Sequence, residues 1–268
     1  MSLSRRMRRE RRKDLAAVAL ILIFAFLVIS GSAVGNFMAE KVIAPLMAMA
    51  EKNDGRAKEN EGTVTVTISP AVPSVFAVSV GTFPSAKVAE ATEKLKVLNG
   101  GAYPLTDDAG TALLFGCFAS SSSAEKTAQS LTGTFPETVI RTLSADVPAV
   151  RLTGSPAQTK LIADGFSLLA DTVSELLACA DGLCEGDLTR LQASVKLKEK
   201  EAALNETLIS LRELATTHAT VRALREAVLC LKTLLEDLPE STDDGFIRLL
   251  RYTSAAAARE YVDFLTKL

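Results

Sequence analysis

Val80-Gly81-Thr82-Phe83-Pro84-Ser85 returns, 35 residues later, as Phe115-Gly116-Cys117-Phe118-Ala119-Ser120. Gly, Phe and Ser keep their places. Each phrase ends an apolar run and opens a helix-like segment. Two copies at such a spacing make one compact unit rather than a solenoid. The run before the first phrase, Phe76-Ala77-Val78-Ser79-Val80, has a period of two and predicts a half-buried strand with Val78 and Val80 on one face. Thr111-Ala112-Leu113-Leu114-Phe115 predicts its counterpart, with Leu113 and Phe115 inward. Gly81 and Gly116 are expected to end these strands, where the backbone turns or approaches something closely. Phe83 and Phe118 then fold back as core anchors.

After the first phrase, Ser85 is placed to cap a helix. Its stripe is Val88, Ala91, Leu95 and Leu98, and Asn99-Gly100-Gly101 stops it with residues that tolerate positive φ. After the second, Ser122 and Glu125 have capping-box spacing, Ala124, Ala128 and Leu131 form the stripe, and Gly133 ends it. Tyr103-Pro104-Leu105 reads as a short strand whose proline fits only a sheet edge. Glu137 to Leu143, rich in Val, Ile and Thr, completes the set. The order β-α-β-β-α-β predicts a split βαβ, RNP-like sandwich with two helices on one sheet face and the other face open.

Val78-Ser79-Val80-Gly81-Thr82-Phe83 and the echo at Gly116-Cys117-Phe118 resemble the SPOR domain, the sporulation-related repeat, over residues 73–146. The resemblance implies binding to peptidoglycan, in particular to glycan strands stripped of their stem peptides at division or spore septa. On that reading Ser79, Tyr103, Leu114 and Arg141 are the candidate glycan-binding residues. Many family members carry glutamine where this chain has Ser79, and a polar or basic residue where it has Leu114. This face therefore offers fewer hydrogen-bond donors than a sugar-binding surface usually gathers beside its apolar platform.

The whole chain has 268 residues, enough for one large or two modest domains; 48% are hydrophobic, and Trp is absent. The net charge of −2 hides an asymmetry. Residues 1–14 hold seven of the 30 basic side chains (Arg5, Arg6, Arg8, Arg9, Arg11, Arg12, Lys13) and two of the 32 acidic ones, so the remainder carries −7. A basic tip on an acidic body argues against nucleic acid and for a membrane orientation signal. Leu15 to Ile29 is apolar without a charge, and Gly31 to Val34 extends the run. Residues 15–34 are long enough to cross a hydrocarbon core of about 30 Å, and Phe37 and Met38 carry the span to 15–38. The expectation is a single-pass transmembrane helix in the cell membrane, with a cytoplasmic tip at 1–14 and everything later extracytoplasmic. A cleaved signal peptide is the rival, since Ser32-Ala33-Val34-Gly35 offers small residues. Against it, the apolar run is long for a signal core and no strongly marked A-x-A site follows.

Residues 39–72 read as linker. Pro45 ends or bends the exit from the membrane, Ala50 to Gly62 is too charged to bury much, and Thr63 to Ile68 alternates as a strand that joins a sheet edge or stays extended. Pro148, Gly154 and Pro156 mark a second boundary. Beyond it, residues 156–268 are rich in helix formers and predict a bundle of three or four helices. Whether Leu188 to Leu235 is one helix or two stays open, because Thr216-Thr217-His218-Ala219-Thr220 has weak helix propensity yet forces no break. The apolar repeat reads as internal core, with a self-association seam or a partner surface as the alternative. Cys179 and Cys184 flank an expected turn at Ala180-Asp181-Gly182-Leu183 and could bridge in an oxidising space. Cys117 and Cys230 read as small buried apolar residues.

No constellation points to catalysis. His218 is the only histidine, and with four scattered cysteines it cannot furnish a hydrolytic zinc shell. No G-x-S-x-G, Walker A or G-x-G-x-x-G phrase occurs. Asp107-Asp108 and Asp243-Asp244 suit turns and caps. No enzyme activity, cofactor or metal is expected. The chain reads as a membrane-anchored α+β protein that binds septal peptidoglycan in division or sporulation, an architecture resembling stage II sporulation protein B-like proteins. The alternative is a non-catalytic membrane scaffold whose degenerate SPOR-like domain and helical domain bind protein partners. A wall hydrolase with a helical catalytic domain is least supported.

Overall fold

Both strands of the repeated phrase form, and both run past their glycines. In a computed structural model, which describes residues 63–268 apart from 108–109, 146, 148 and 215–217, β2 spans Val75–Phe83 and β4 spans Gly110–Phe118. Gly81 and Gly116 therefore do not end strands. The β2–β4 register shifts between Val78 and Ser79 and again between Ser79 and Thr82. Gly81 lies in the second of these bulges at φ +131°, a conformation that side chains rarely tolerate. The basic tip, the expected membrane span at 15–38 and the linker up to residue 62 lie outside the described residues. No helix among the described residues is long and apolar enough to cross a membrane.

The remaining elements are β1 (Val64–Ile68), α1 (Ser85–Val97), β3 (Tyr103–Asp107), α2 (Ser121–Leu131), β5 (Val139–Leu143), β6 (Val150–Gly154), α3 (Pro156–Glu185), α4 (Arg190–Glu213), α5 (Ala219–Glu236) and α6 (Phe246–Thr266). The fold is α+β, with six helices and two small sheets among the described residues. The four-stranded antiparallel sheet has the order β3-β4-β2-β5, which puts Pro104 on an edge as its missing N–H requires. Val78, Val80, Leu113, Phe115 and Phe118 face Ala91 and Leu95 of α1 and Ala124 and Leu131 of α2. Two caps differ from expectation. Pro84, not Ser85, precedes α1 and makes no side-chain cap bond. Ser120, not Ser122, caps α2 by accepting from the N–H groups of Ser122 and Ser123.

Strand β6 was not foreseen, because its flanking prolines and glycine read as a boundary. Its own alternation was there to be read: Val150 and Leu152 are buried, Arg151 and Thr153 exposed. It pairs with β1 from Val64↔Gly154 to Ile68↔Val150, and the Thr65 and Thr153 hydroxyls meet at 3.0 Å. So β1 joins neither edge of the larger sheet; this ribbon packs on α3.

Helix α3 starts from a capping box of Ser155 and Gln158 with Pro156 at its first position. It runs unbroken through the stretch expected to turn. Gly182 serves packing instead, since a Cβ there would lie 2.9 Å from the Leu188 Cβ. Cys179 and Cys184 thus lie five residues apart on one helix, about 140° round its axis, and both are free thiols. Helices α4 and α5 are separate, and His218 caps α5 by accepting the Thr220 N–H at Nδ1. Leu197, Leu204, Leu208 and Leu211 bury one face of α4, while Leu191, Val195 and Ile209 are exposed on it. Sandwich and bundle belong to one compact unit, residues 61–268.

Candidate functional site

The second face of the four-stranded sheet is closed, not open as the sequence suggested. Val75, Ala77, Leu114 and Cys117 share one apolar core with the bundle, and α6 lies across β4. Small residues on both sides make this possible. Thr253 to Ala258, Thr-Ser-Ala-Ala-Ala-Ala, is buried throughout. A Cβ at Gly101 would lie 2.4 Å from the Tyr252 backbone nitrogen, and one at Gly116 would lie 3.2 Å from the Arg251 Cβ. Close approach, one of the two roles expected of Gly116, is its role here. The positive φ values at the end of α1 fall on Asn99 and Ala102 rather than on Gly100 or Gly101.

Polar contacts fasten the joint. The Arg251 guanidinium stands 4.4 Å over the Phe115 ring and donates to the Asn99 carbonyl at 2.9 Å. Burial lowers its pKa from the ordinary arginine value. Tyr252 meets Tyr103 edge-on at 5.3 Å, and the Tyr261 hydroxyl donates to the Ala71 carbonyl at 2.7 Å. A second joint links α2 to α3. The Ser120 N–H donates to Asp181 Oδ2 at 2.9 Å, and the Ser123 hydroxyl donates to Glu185 at 3.0 Å. Asp181 Oδ1 is buried without a partner among the described residues. Burial pushes its carboxyl up to about 6.

The four residues marked for a glycan are not assembled into a site. Ser79 and Leu114 are each 0% exposed, and the Ser79 hydroxyl has no partner among the described residues. Tyr103 is half-buried in the α6 joint, where burial, with help from Glu260, raises its phenol. Arg141 alone is exposed, on the edge strand β5.

A different surface concavity was missed. Gly81-Thr82-Phe83-Pro84 recurs as Gly133-Thr134-Phe135-Pro136, and both copies line one groove of about 450 Å³ beside Lys87, Glu90 and Lys94 of α1. Phe83 and Phe135 pack edge-to-face at 6.5 Å in its floor. The exact tetrapeptide repeat, at an offset of 52, is its signal in the sequence. Among the described residues no group of three His, Cys, Asp or Glu could hold a metal ion. Burial lifts the Cys117 thiol to about 12 and that of Cys179 to about 11, far from thiolate at neutral pH. No family model, curated protein or solved structure matches the chain.

Proposed function

We propose that this chain is a non-catalytic, membrane-anchored scaffold of the division or sporulation septum. The basic tip at 1–14 lies in the cytoplasm, the run at 15–38 crosses the bilayer, and residues 63–268 stand outside as one body. The SPOR-like sandwich has given up its ligand face to hold the helical domain. One observation carries the choice over glycan binding: Ser79 and Leu114 are fully buried, and Leu114 lies in the core that the sheet shares with the bundle, on the strand that α6 crosses. A glycan strand would have to displace a helix whose Phe246, Leu250, Tyr261, Phe264 and Leu265 are core. Removing one such side chain typically costs about 2–5 kcal/mol, so spontaneous opening of this face is rare. The sequence supports the non-catalytic part, since it holds one histidine and no nucleophile motif.

The test is a pulldown of residues 63–268 on cell-wall sacculi with and without stem peptides. A scaffold of this kind retains equally little on both. Selective retention on the denuded sacculi would restore the glycan reading and show that α6 leaves the sheet.

A further inference from the structure

A scaffold needs a surface for its partner, and the sheet edges differ in what they offer. On one side β3 carries Pro104, which has no N–H to donate; α6 touches both edge strands. On the other side, β5 pairs with β2 alone among the described strands. The ribbon of β1 and β6 also has outer edges, but its strands alternate exposed positions with buried or half-buried ones, and the wet positions of β1 are Thr65 and Thr67. Strand β5, Val-Ile-Arg-Thr-Leu, is exposed at four consecutive positions, so side chains on both of its faces meet water. Val139 is 47% and Ile140 37% exposed. It contains no proline or glycine, and β-branched residues fill three of its five places. That is a strand chemically ready to pair and lacking a second partner strand among the described residues.

We propose that the outer edge of β5 is a docking site for an extended segment of a partner protein, which adds a fifth strand and sets a carboxylate opposite Arg141. This rests on the scaffold reading and names its partner class. Cross-strand register gives the rest of the pattern. Val139, Arg141 and Leu143 pair with Ser79, Ala77 and Val75, so they share one face. A strand laid alongside carries large apolar residues two positions either side of its Asp or Glu. A second copy of this chain fits less well. Full antiparallel overlap of two β5 strands, related by a two-fold axis normal to the sheet, sets Arg141 directly against its own copy, and like charges in that position repel.

The experiment measures backbone hydrogen exchange at Val139–Leu143 in the full-length chain, held in detergent micelles. The added peptides are Thr-Val-Thr-Glu-Thr-Val-Thr, its central Lys counterpart, and the Glu peptide N-methylated on alternate residues in each phase. The Glu peptide slows exchange along β5 and binds about fivefold more tightly than the Lys peptide. One N-methylated phase abolishes the protection, because strand addition needs those N–H groups. The exposed substitution Arg141→Glu reverses the order of the two peptides. Unchanged exchange, equal affinity for the two peptides, or protection of β5 by dimerisation without peptide each overturns the proposal. The sacculus pulldown separates the two ideas. A chain that ignores the peptides and both kinds of sacculus loses only the docking site. A chain that selects denuded sacculi loses the scaffold reading, whatever the peptides do.

Discussion

Ser79 carries opposite consequences under the two readings. Its hydroxyl is buried without a partner among the described residues, and an unsatisfied buried hydroxyl costs roughly 1–3 kcal/mol. Ser79→Ala deletes the hydroxyl and leaves only a small gap. The expected result is unchanged or higher stability, by up to about 1 kcal/mol, read as a shift in the urea midpoint of residues 63–268. A glycan contact at Ser79 would instead show as lost retention on denuded sacculi. Gly101 tests the joint from its other side. An alanine Cβ there would lie 2.4 Å from the Tyr252 nitrogen and 2.7 Å from the Arg251 carbonyl carbon. Both are helix backbone, so α6 must move as a whole. Gly101→Ala is expected to destabilise by about 3 kcal/mol. Gly133→Ala is the control: its Cβ would meet nothing within 4 Å, and its midpoint should barely move.

At the scale of elements, the sandwich was legible in the sequence because period-two alternation and helical stripes are local signals. Val78, Val80, Leu113 and Phe115 point inward as their alternation requires. The closed face was not legible, for a physical reason. Ala77, Ser79 and Ala112 look the same in sequence whether small because a ligand approaches or because a helix does. The matching small residues, Thr253 to Ala258, lie more than 140 positions away. The α3 turn failed differently: Asp181-Gly182 has turn chemistry, but both residues are used for packing between elements. Asp181 also makes the α2–α3 joint sensitive to pH. Its carboxyl titrates near 6 in the folded chain against an ordinary 3.8, so the folded state binds its proton more tightly than the unfolded one. The associated stability is complete below pH 3.8, is lost as pH rises through about 6, and stays lost at neutral pH. Asp181→Asn keeps a carbonyl for the Ser120 N–H and removes the charge. It should flatten the stability profile between pH 4 and 6. At pH 7.5 the gain should be about 1 kcal/mol, held to that by the water reaching this half-exposed group. Urea unfolding at pH 5 and pH 7.5 measures both effects.

For the whole molecule, the central question is whether sandwich and bundle open separately. The sheet needs α6 to cover Ala77, Leu114 and Cys117, and α6 needs the sheet to cover its run of small residues, so the core they share is open in either part alone. Cys117 and Cys179 report on this without any mutation. The first is 0% exposed in the sheet under α6 and the second 0% exposed in α3. Burial holds both thiols well above neutral pH, so alkylation requires opening. If the body is one cooperative unit, Cys117 and Cys179 of residues 63–268 become alkylated together as urea rises. Their opening free energies should then fall with the same slope, that of global unfolding, because the slope scales with the surface exposed. If the bundle lifts from the sheet first, Cys117 reacts earlier and with a shallower slope than Cys179. That result would mean the sheet face is exposed in a populated minor state, and an extended sugar chain binding there would pull the equilibrium towards it by mass action. Mass spectrometry of the alkylated peptides across a urea series separates the two outcomes.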